Sequence, residues 1–304
     1  MSSTFNPSPI IRKEIEDAAQ SGELAVFVGA GVSRLVNCPT WEGFADKILI
    51  QLVPLGIDYY ELSQIQAIPD PKKKLSIARI VAQEKKIDLN YKAIFEIDVP
   101  AANVYSHLNK FNCTFVTTNY DKFLVPQSRK TEPEGKWRFY KKADLLREKL
   151  DVNGNVIHLH GCIDDPKSMV ITTRDYLDHY SRPDVQEFLT YLFESKTVLF
   201  LGYGLEEIEI LEYILRRGGA ADRGATTRIN RFILQGFFNA EMALFQKLES
   251  YYRETFVADL IGFPKDYQSY SQQVEILATW AEKLIFKGMA LTDEAAALED
   301  EING

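Results

Sequence analysis

Leu24-Ala25-Val26-Phe27-Val28-Gly29-Ala30-Gly31-Val32-Ser33 is the stretch whose reading decides the fold. Five consecutive apolar residues without polar alternation describe a strand buried on both faces. The GAG that ends the run places backbone N–H groups where a helix begins, with no side chain to block close approach of a phosphate. Read alone, it is equally a tight turn with no ligand. Similar runs recur at Cys113 to Val116, Val156 to Leu159, Met169 to Ile171, Thr197 to Leu201, Arg231 to Leu234 and Thr255 to Ala258. Between them lie helical patterns around Trp41 to Val53, Ala101 to Lys110, Val185 to Phe193, Glu206 to Arg216 and Ala240 to Tyr251. This alternation predicts an α/β fold, a doubly wound Rossmann-like parallel sheet with helices on both faces.

One stretch breaks the rhythm. From about Pro54 to Val99 the pattern is helical, with apolar positions such as Ile77, Ile80 and Val81 and no strand, which predicts a helical insertion. Ser8 and Pro9 have the form of an N-cap and N1 proline opening a helix through about Gln20. Gly218-Gly219 through Arg228 reads as an exposed connection, and the last long helix as Tyr270 to Lys287. An acidic tail, Asp293 to Glu301 within about 291–304, comes after it. With no internal repeat or low-complexity linker, one domain spanning 1–304 with an insertion at about 54–99 is expected.

The 304 residues are 46% hydrophobic and 26% charged, as expected of a folded globular chain rather than a disordered one. Net charge is −8 and no basic stripe is present, so direct nucleic-acid binding is not expected. Lys72-Lys73-Lys74 and Lys141-Lys142 read as solvated helix faces. Cys38, Cys113 and Cys162 are odd in number and lack CxxC spacing, which argues against a disulfide framework and for a reducing cytoplasm. A four-thiolate zinc site is impossible with three cysteines, and no zinc module or other metal is expected. The N-terminus lacks the apolar core of a signal peptide, and no stretch approaches the ~20 apolar residues of a membrane span.

Two more segments end apolar runs, at the strand edge where open α/β sheets bind ligands. Thr117-Thr118-Asn119-Tyr120-Asp121 offers Asn119, an amide able to donate and accept, and Asp121, able to anchor a loop or a hydroxyl. The alternative is a plain strand-to-helix turn with an Asx cap. His158-Leu159-His160-Gly161 places two histidines on one strand face, with His160 at the exit. His160 is either a base working near neutral pH or a structural histidine. His107 and His179 have no motif around them. A fourth segment, Phe200-Leu201-Gly202-Tyr203-Gly204-Leu205, repeats the strand-then-glycine pattern. The first turn is not a full dinucleotide fingerprint: Arg34 occupies the third glycine position, and no carboxylate lies ~20 residues beyond to hold a ribose. A hydride-transferring dehydrogenase therefore fits poorly.

Together these residues resemble the sirtuin superfamily. GAGVS is similar to its GAGxS cofactor loop, TTNYD to its TQN-x-D segment, HLHG to the segment with its catalytic histidine, and FLGYGLEE to its later glycine-rich turn near the adenosine end. The resemblance runs from about residue 20 to 260. The chain departs from protein-deacylating sirtuins in lacking two CxxC pairs, in reading NCPTWEGF (with Trp41) for their GIPxFR, and in carrying Thr118 for glutamine. Ser168 to Tyr176, SMVITTRDY, resembles the segment after the histidine in prokaryotic sirtuin-like effectors of defence against phage.

The resemblance implies an NAD⁺ glycohydrolase, with NAD⁺ as substrate, acting in abortive infection. It implies Asn119 and His160 as catalytic residues, the first positioning water or ribose hydroxyls and the second a general base. Asp121 then supports the Asn119 loop, Gly29, Ala30, Gly31 and Ser33 take the pyrophosphate and adjacent ribose, and Thr118, Gly202, Tyr203 and Gly204 complete the NAD⁺ site. The alternatives are an NAD-dependent deacylase and a silent NAD or ADP-ribose sensor acting through a partner. A glycohydrolase of this kind needs restraint, and the chain leaves little room for a sensor domain. Self-assembly or a separately encoded regulatory protein is therefore expected, with the insertion and the acidic tail as contact surfaces.

Overall fold

The computed structural model describes residues 4–126, 138–203 and 229–285. β1 (Leu24–Val28) is wholly buried because it is the middle of a seven-stranded parallel sheet, paired on one side with β2 (Thr114–Thr117) and on the other with β5 (Thr197–Leu201). Val26 lies between Phe115 and Leu199. β3 (Arg138–Phe139), β4 (Val156–His158), β6 (Arg231–Phe237) and β7 (Ala258–Pro264) complete the order β3-β4-β2-β1-β5-β6-β7. The chain builds outward from β1 through β2, then returns to add β5 on the other side. The order thus reverses between β1 and β5, and a crevice opens there at the strands' carboxyl ends.

Alternate β1 residues feed two cores. Leu24, Val26 and Val28 join a layer with Ile15 of α1 (Lys13–Ser21), Val104 and Leu108 of α7 (Val104–Leu108), and Trp280 of α11 (Gln272–Leu284). Ala25 and Phe27 join Phe188 and Leu192 of α9 (Pro183–Ser195) and Tyr252 and Phe256 of α10 (Met242–Phe256). This is the doubly wound arrangement that the apolar runs predict.

The helical stretch after β1 carries α2 (Ala30–Arg34), α3 (Trp41–Ile50), α4 (Tyr59–Gln66), α5 (Pro71–Lys85) and α6 (Lys92–Phe95), with no strand among them. Its apolar faces form a third core that includes Phe44, Leu75, Tyr120, Cys162 and Ile171, so these helices pack over the carboxyl edge beside the crevice. Lys74 is a correction to the solvated-face reading. Its ammonium is buried between Glu42 and Asp46 at 2.8 and 3.1 Å, tying α5 to α3.

Other expectations change with tertiary context. α1 starts at Lys13, not at Pro9. The preceding residues are drawn across α11, where Gln272 Nε2 and Trp280 Nε1 donate to the carbonyls of Pro7 and Pro9. Met169 to Ile171 is not a strand. It is an extended strap past the sheet's end, with Val170 N–H donating to His160 O and Tyr120 Oη to Val170 O. Thr255 and Phe256 end α10, and β7 begins only after Val257 turns the chain through a left-handed conformation (φ 53°). β3, two residues without an apolar run, had no signal. The expected helix at Glu206 to Arg216, the Gly218-Gly219 connection, Lys287 and the acidic tail lie outside the described residues.

Candidate active site

Asn119 sits just past β2, 7% exposed, and its amide is fixed from both sides. Its N–H donates to Thr117 Oγ1 at 3.0 Å, and Nδ2 donates to Gly29 O at 3.0 Å and Ser33 Oγ at 2.8 Å. Both amide hydrogens are thereby used, and Oδ1 is left buried without a partner. The Ser33 hydroxyl donates to Asp121 Oδ2 at 2.6 Å and lies 2.9 Å from Tyr105 Oη. Since its one hydrogen goes to Asp121, the tyrosine hydroxyl is the donor to Ser33. Ser33 is then saturated, with one donated and two accepted bonds. Burial pushes the Asp121 carboxyl up from its ordinary value, opposed by the Ser33 bond. Tyr105, on α7, had no sequence signal; it reaches the site only through the fold.

The glycines of the first and fourth segments lock against each other. Gly29 N–H donates to Leu201 O at 2.8 Å and Gly31 N–H to Gly202 O at 2.9 Å. A Cβ on Gly31 would lie 2.6 Å from Gly202 O, and Gly202 itself has φ +74°. Glycine is required here for backbone-on-backbone packing, and these two N–H groups are already engaged.

A first cavity, about 530 Å³ including its open mouth, is lined by Ala30, Ser33, Thr118, Asn119, Asp121 and Tyr203 among the predicted residues. Trp41, Phe44, Phe95 and Tyr120 supply aromatic walls, and Cys38 and Thr40 also face it. Burial, with Asp121 nearby, pushes the Cys38 thiol up to about 12, so it is an inert wall. A second, larger cavity opens on the other side of α2, lined by Gly31, Gly202 and Tyr203 together with residues of β6 and the β7–α11 connection. Gly29 and His160 line neither, and Gly204 lies outside the described residues.

The two histidines of HLHG part company. His158 Nδ1 is 2.9 Å from Asn119 O and Nε2 is 3.3 Å from Arg138 Nη1, so His158 braces the Asn119 loop. Burial lowers its pKa to about 4. His160 is fully buried: Nε2 is 2.7 Å from Tyr180 Oη, and Tyr176 lies edge-on at 5.0 Å between ring centroids. Burial, then His179 and Lys72, hold it neutral, well below the ordinary value of 6.5. Tyr176 belongs to α8 (Thr173–Tyr180), which α5 clamps through Arg79 to Asp175 (2.9 and 2.8 Å) and Ser76 to Thr173 (3.1 Å). The other face of Tyr176 approaches Trp41, a wall of the first cavity. The fold therefore places a closed tyrosine layer over the predicted base.

Among the described residues no group of three or more His, Cys, Asp or Glu is placed to hold a metal ion, and the three cysteines are free and buried. No described helix is long and apolar enough to cross a membrane.

The chain is a doubly wound α/β protein whose switch-point turn packs against a buried, oriented amide at the edge where open sheets bind ligands. Residues 113–253 match the family model described as the SIR2-like domain. The matched span holds the Asn119, His160 and Gly202 segments, while the Gly29–Ser33 turn precedes it. The chain is 26% identical to defense-associated sirtuin 2 of Bacillus subtilis over 218 residues, 65% of this chain and 19% of that protein. It is 25% identical to the NAD(+) hydrolase ThsA of Cytobacillus dafuensis over 214 residues, 68% of this chain and 40% of that protein. It is 24% identical to the ThsA of Enterococcus faecium over 321 aligned residues, 94% and 61%. The chain thus spans less than two thirds of each of these relatives.

Proposed function

We propose that the chain is an NAD⁺ glycohydrolase that releases nicotinamide and ADP-ribose, as a regulated effector of defence against phage by NAD⁺ depletion. The observation that carries this is the Asn119 amide: Nδ2 is fixed by Gly29 and Ser33, while Oδ1 is buried and unpartnered, in a residue that lines an aromatic cavity. Such an acceptor holds a ribose hydroxyl or a water at a set angle. Nicotinamide leaves from a cationic ring, so the transition state is oxocarbenium-like and needs little acid assistance. What it needs is a held ribose, a dry aromatic wall and a placed water. Trp41, Phe44, Tyr120 and Tyr203 provide the wall.

In this reading His160 takes the proton from the ribose hydroxyl or water once Tyr176 swings aside. Its sealed state favours control from outside the site, through a second copy or a separately encoded sensor. The enzyme works in the cytoplasm, without metal and without binding nucleic acid or membrane itself. The same seal supports one second reading, a silent NAD or ADP-ribose sensor.

The test is chromatographic product analysis of purified protein with NAD⁺, with and without an acetyl-lysine peptide, beside His160→Ala. Release of nicotinamide and ADP-ribose without peptide, lost in the variant, is expected. Peptide-dependent release overturns the reading in favour of deacylation. Intact NAD⁺ in every sample, including with Asp175→Asn that loosens α8, overturns it in favour of the sensor.

A further inference from the structure

β3 is only Arg138–Phe139, at the edge of the sheet, yet it delivers a guanidinium to the Asn119 loop. Arg138 pairs in register with Val156 of β4, so Arg138, Val156 and His158 share one face of the sheet. Arg138 Nη2 donates to Lys122 O at 3.2 Å and to Leu124 O at 2.7 Å, and Nη1 lies 3.3 Å from His158 Nε2. Among the described residues it makes no ion pair, and neither Arg138 nor His158 lines either cavity. A guanidinium spent on two carbonyls and a ring nitrogen sets geometry rather than balancing a bonded carboxylate.

Donor logic fixes the proton on His158. A guanidinium only donates, so Nε2 must offer its lone pair. The Asn119 carbonyl only accepts, so the 2.9 Å contact is Nδ1–H donating to Asn119 O. The ring is therefore the neutral Nδ1–H tautomer, and a second proton would set N–H against N–H at Arg138. Around this pair, Asp164 is held by Lys122 at 2.7 Å, and the Cys162 thiol, pushed up by burial, stays protonated.

A second line runs from the same residue. Burial raises the Asp121 carboxyl, while the Ser33 and Phe123 bonds and then the Arg138 charge oppose it. An ionised carboxylate only accepts, which turns the Ser33 hydroxyl toward it and leaves Ser33 lone pairs for Asn119 Nδ2. Arg138 thus reaches the Asn119 carbonyl through His158, and the Asn119 amide through Asp121 and Ser33.

We infer that Arg138 is a positioning residue of the reaction, acting on Asn119 through the Nδ1–H tautomer of His158 and through Asp121, without touching substrate. The inference rests on the glycohydrolase reading and names the residue that sets the geometry of its reserved acceptor.

The experiment joins NAD⁺ kinetics to NMR on the full chain, for the wild type, Arg138→Met, Arg138→Lys, His158→Asn and His158→Gln. Long-range proton–nitrogen spectra read the His158 tautomer, and hydrogen exchange reads the backbone from Asn119 to Leu124. Nδ1–H is expected in the wild type. Arg138→Met should lower kcat about ten- to a hundredfold with KM within about threefold, because geometry is lost and no ligand contact is. His158 should then titrate at a higher pH than its about 4, since a neighbouring cation has gone. Arg138→Lys should recover part of kcat, having a donor but no fork. His158→Asn, which keeps a donor near the Nδ1 position, should outperform His158→Gln, which keeps only the acceptor for Arg138. An Nε2–H tautomer in the wild type, or undiminished protection from Asn119 to Leu124 in folded Arg138→Met, overturns the inference. Nδ1–H with Arg138-dependent protection and no NAD⁺ cleavage keeps the positioning and removes the glycohydrolase. NAD⁺ cleaved at wild-type kcat by Arg138→Met and His158→Gln does the reverse.

Discussion

Asn119 and His160 end neighbouring strands of one sheet, yet the fold treats them oppositely. Asn119 is held rigid and opens onto a cavity, with one acceptor oxygen in reserve. His160 is equally buried but faces inward, bonded to Tyr180 and roofed by Tyr176. In the proposed reaction the first is preorganised for charge that develops on a ribose, while the second is neutral and withheld. Catalysis by fixed dipoles needs the first arrangement, and the second gives control of a proton transfer.

Asn119→Ala tests the open side most severely. It removes the reserved acceptor while Thr117, Gly29 and Ser33 stay in place, and we expect NAD⁺ turnover to fall by about 10²–10³-fold with the melting temperature nearly kept. Turnover within a few-fold of wild type, by product chromatography, would break the comparison at its stronger end.

Ser33→Ala should come next, lowering turnover by about tenfold through a loosened Asn119. It also leaves the Tyr105 hydroxyl and one Asn119 hydrogen unpaired, at about 1–3 kcal/mol in chemical denaturation. Phe replacing Tyr105 should restore part of the stability lost in Ser33→Ala, because the orphaned hydroxyl goes with it.

The buried histidines set a pH dependence. His158 and His179 titrate near 4 in the folded chain against an ordinary 6.5, and His160 lies well below it. A depressed histidine pKa means the unfolded chain binds the proton first. Their contribution to stability is therefore complete above pH 6.5 and drains away as pH falls toward 4, at up to about 1.4 kcal/mol per unit per group. Asp121, raised by burial, opposes this at the acid end. Melting temperatures from pH 7.5 to 4.5 should fall, and less steeply in His179→Gln; a flat profile would contradict the sealed state.

The smallest effect probes the roof itself. Arg79→Gln frees α8 from α5, and diethyl pyrocarbonate should then label His160 several-fold faster, with half-buried His107 as the internal standard. Equal labelling of His160 and His107 in the wild type would show that Tyr176 is no barrier.

Much of this was readable along the chain. The run Leu24–Val28 announces a central strand because burial on both faces removes any need for polar alternation, and Gly31 and Gly202 announce tight turns. Asn119, Thr118 and Asp121, grouped with Ser33 by their motifs, do line one cavity together. The Ser33 hydroxyl, expected beside the pyrophosphate and adjacent ribose, is engaged by Asp121 and Tyr105, two partners its motif does not encode. Lys74, read as solvated, is buried because two carboxylates of α3 meet it. Met169 to Ile171 looked like a strand, since an apolar run alone does not say whether a sheet edge is within reach.

The sequence by itself determined the positions of the strands and turns, for apolar runs and glycines act on their immediate neighbours. It also marked the polar side chains at the strand ends, Asn119 and Asp121 among them, that line the first cavity. Only the tertiary structure decided which of their hydrogen-bonding groups stay available. Asn119 keeps an acceptor because Gly29 and Ser33, some 90 and 86 residues away in sequence, take its donors. His160 loses its access because α8 folds back over it and α5 holds α8 down. Hydrogen bonds are saturable and rings exclude solvent, so the availability of a group depends on partners that no local pattern encodes.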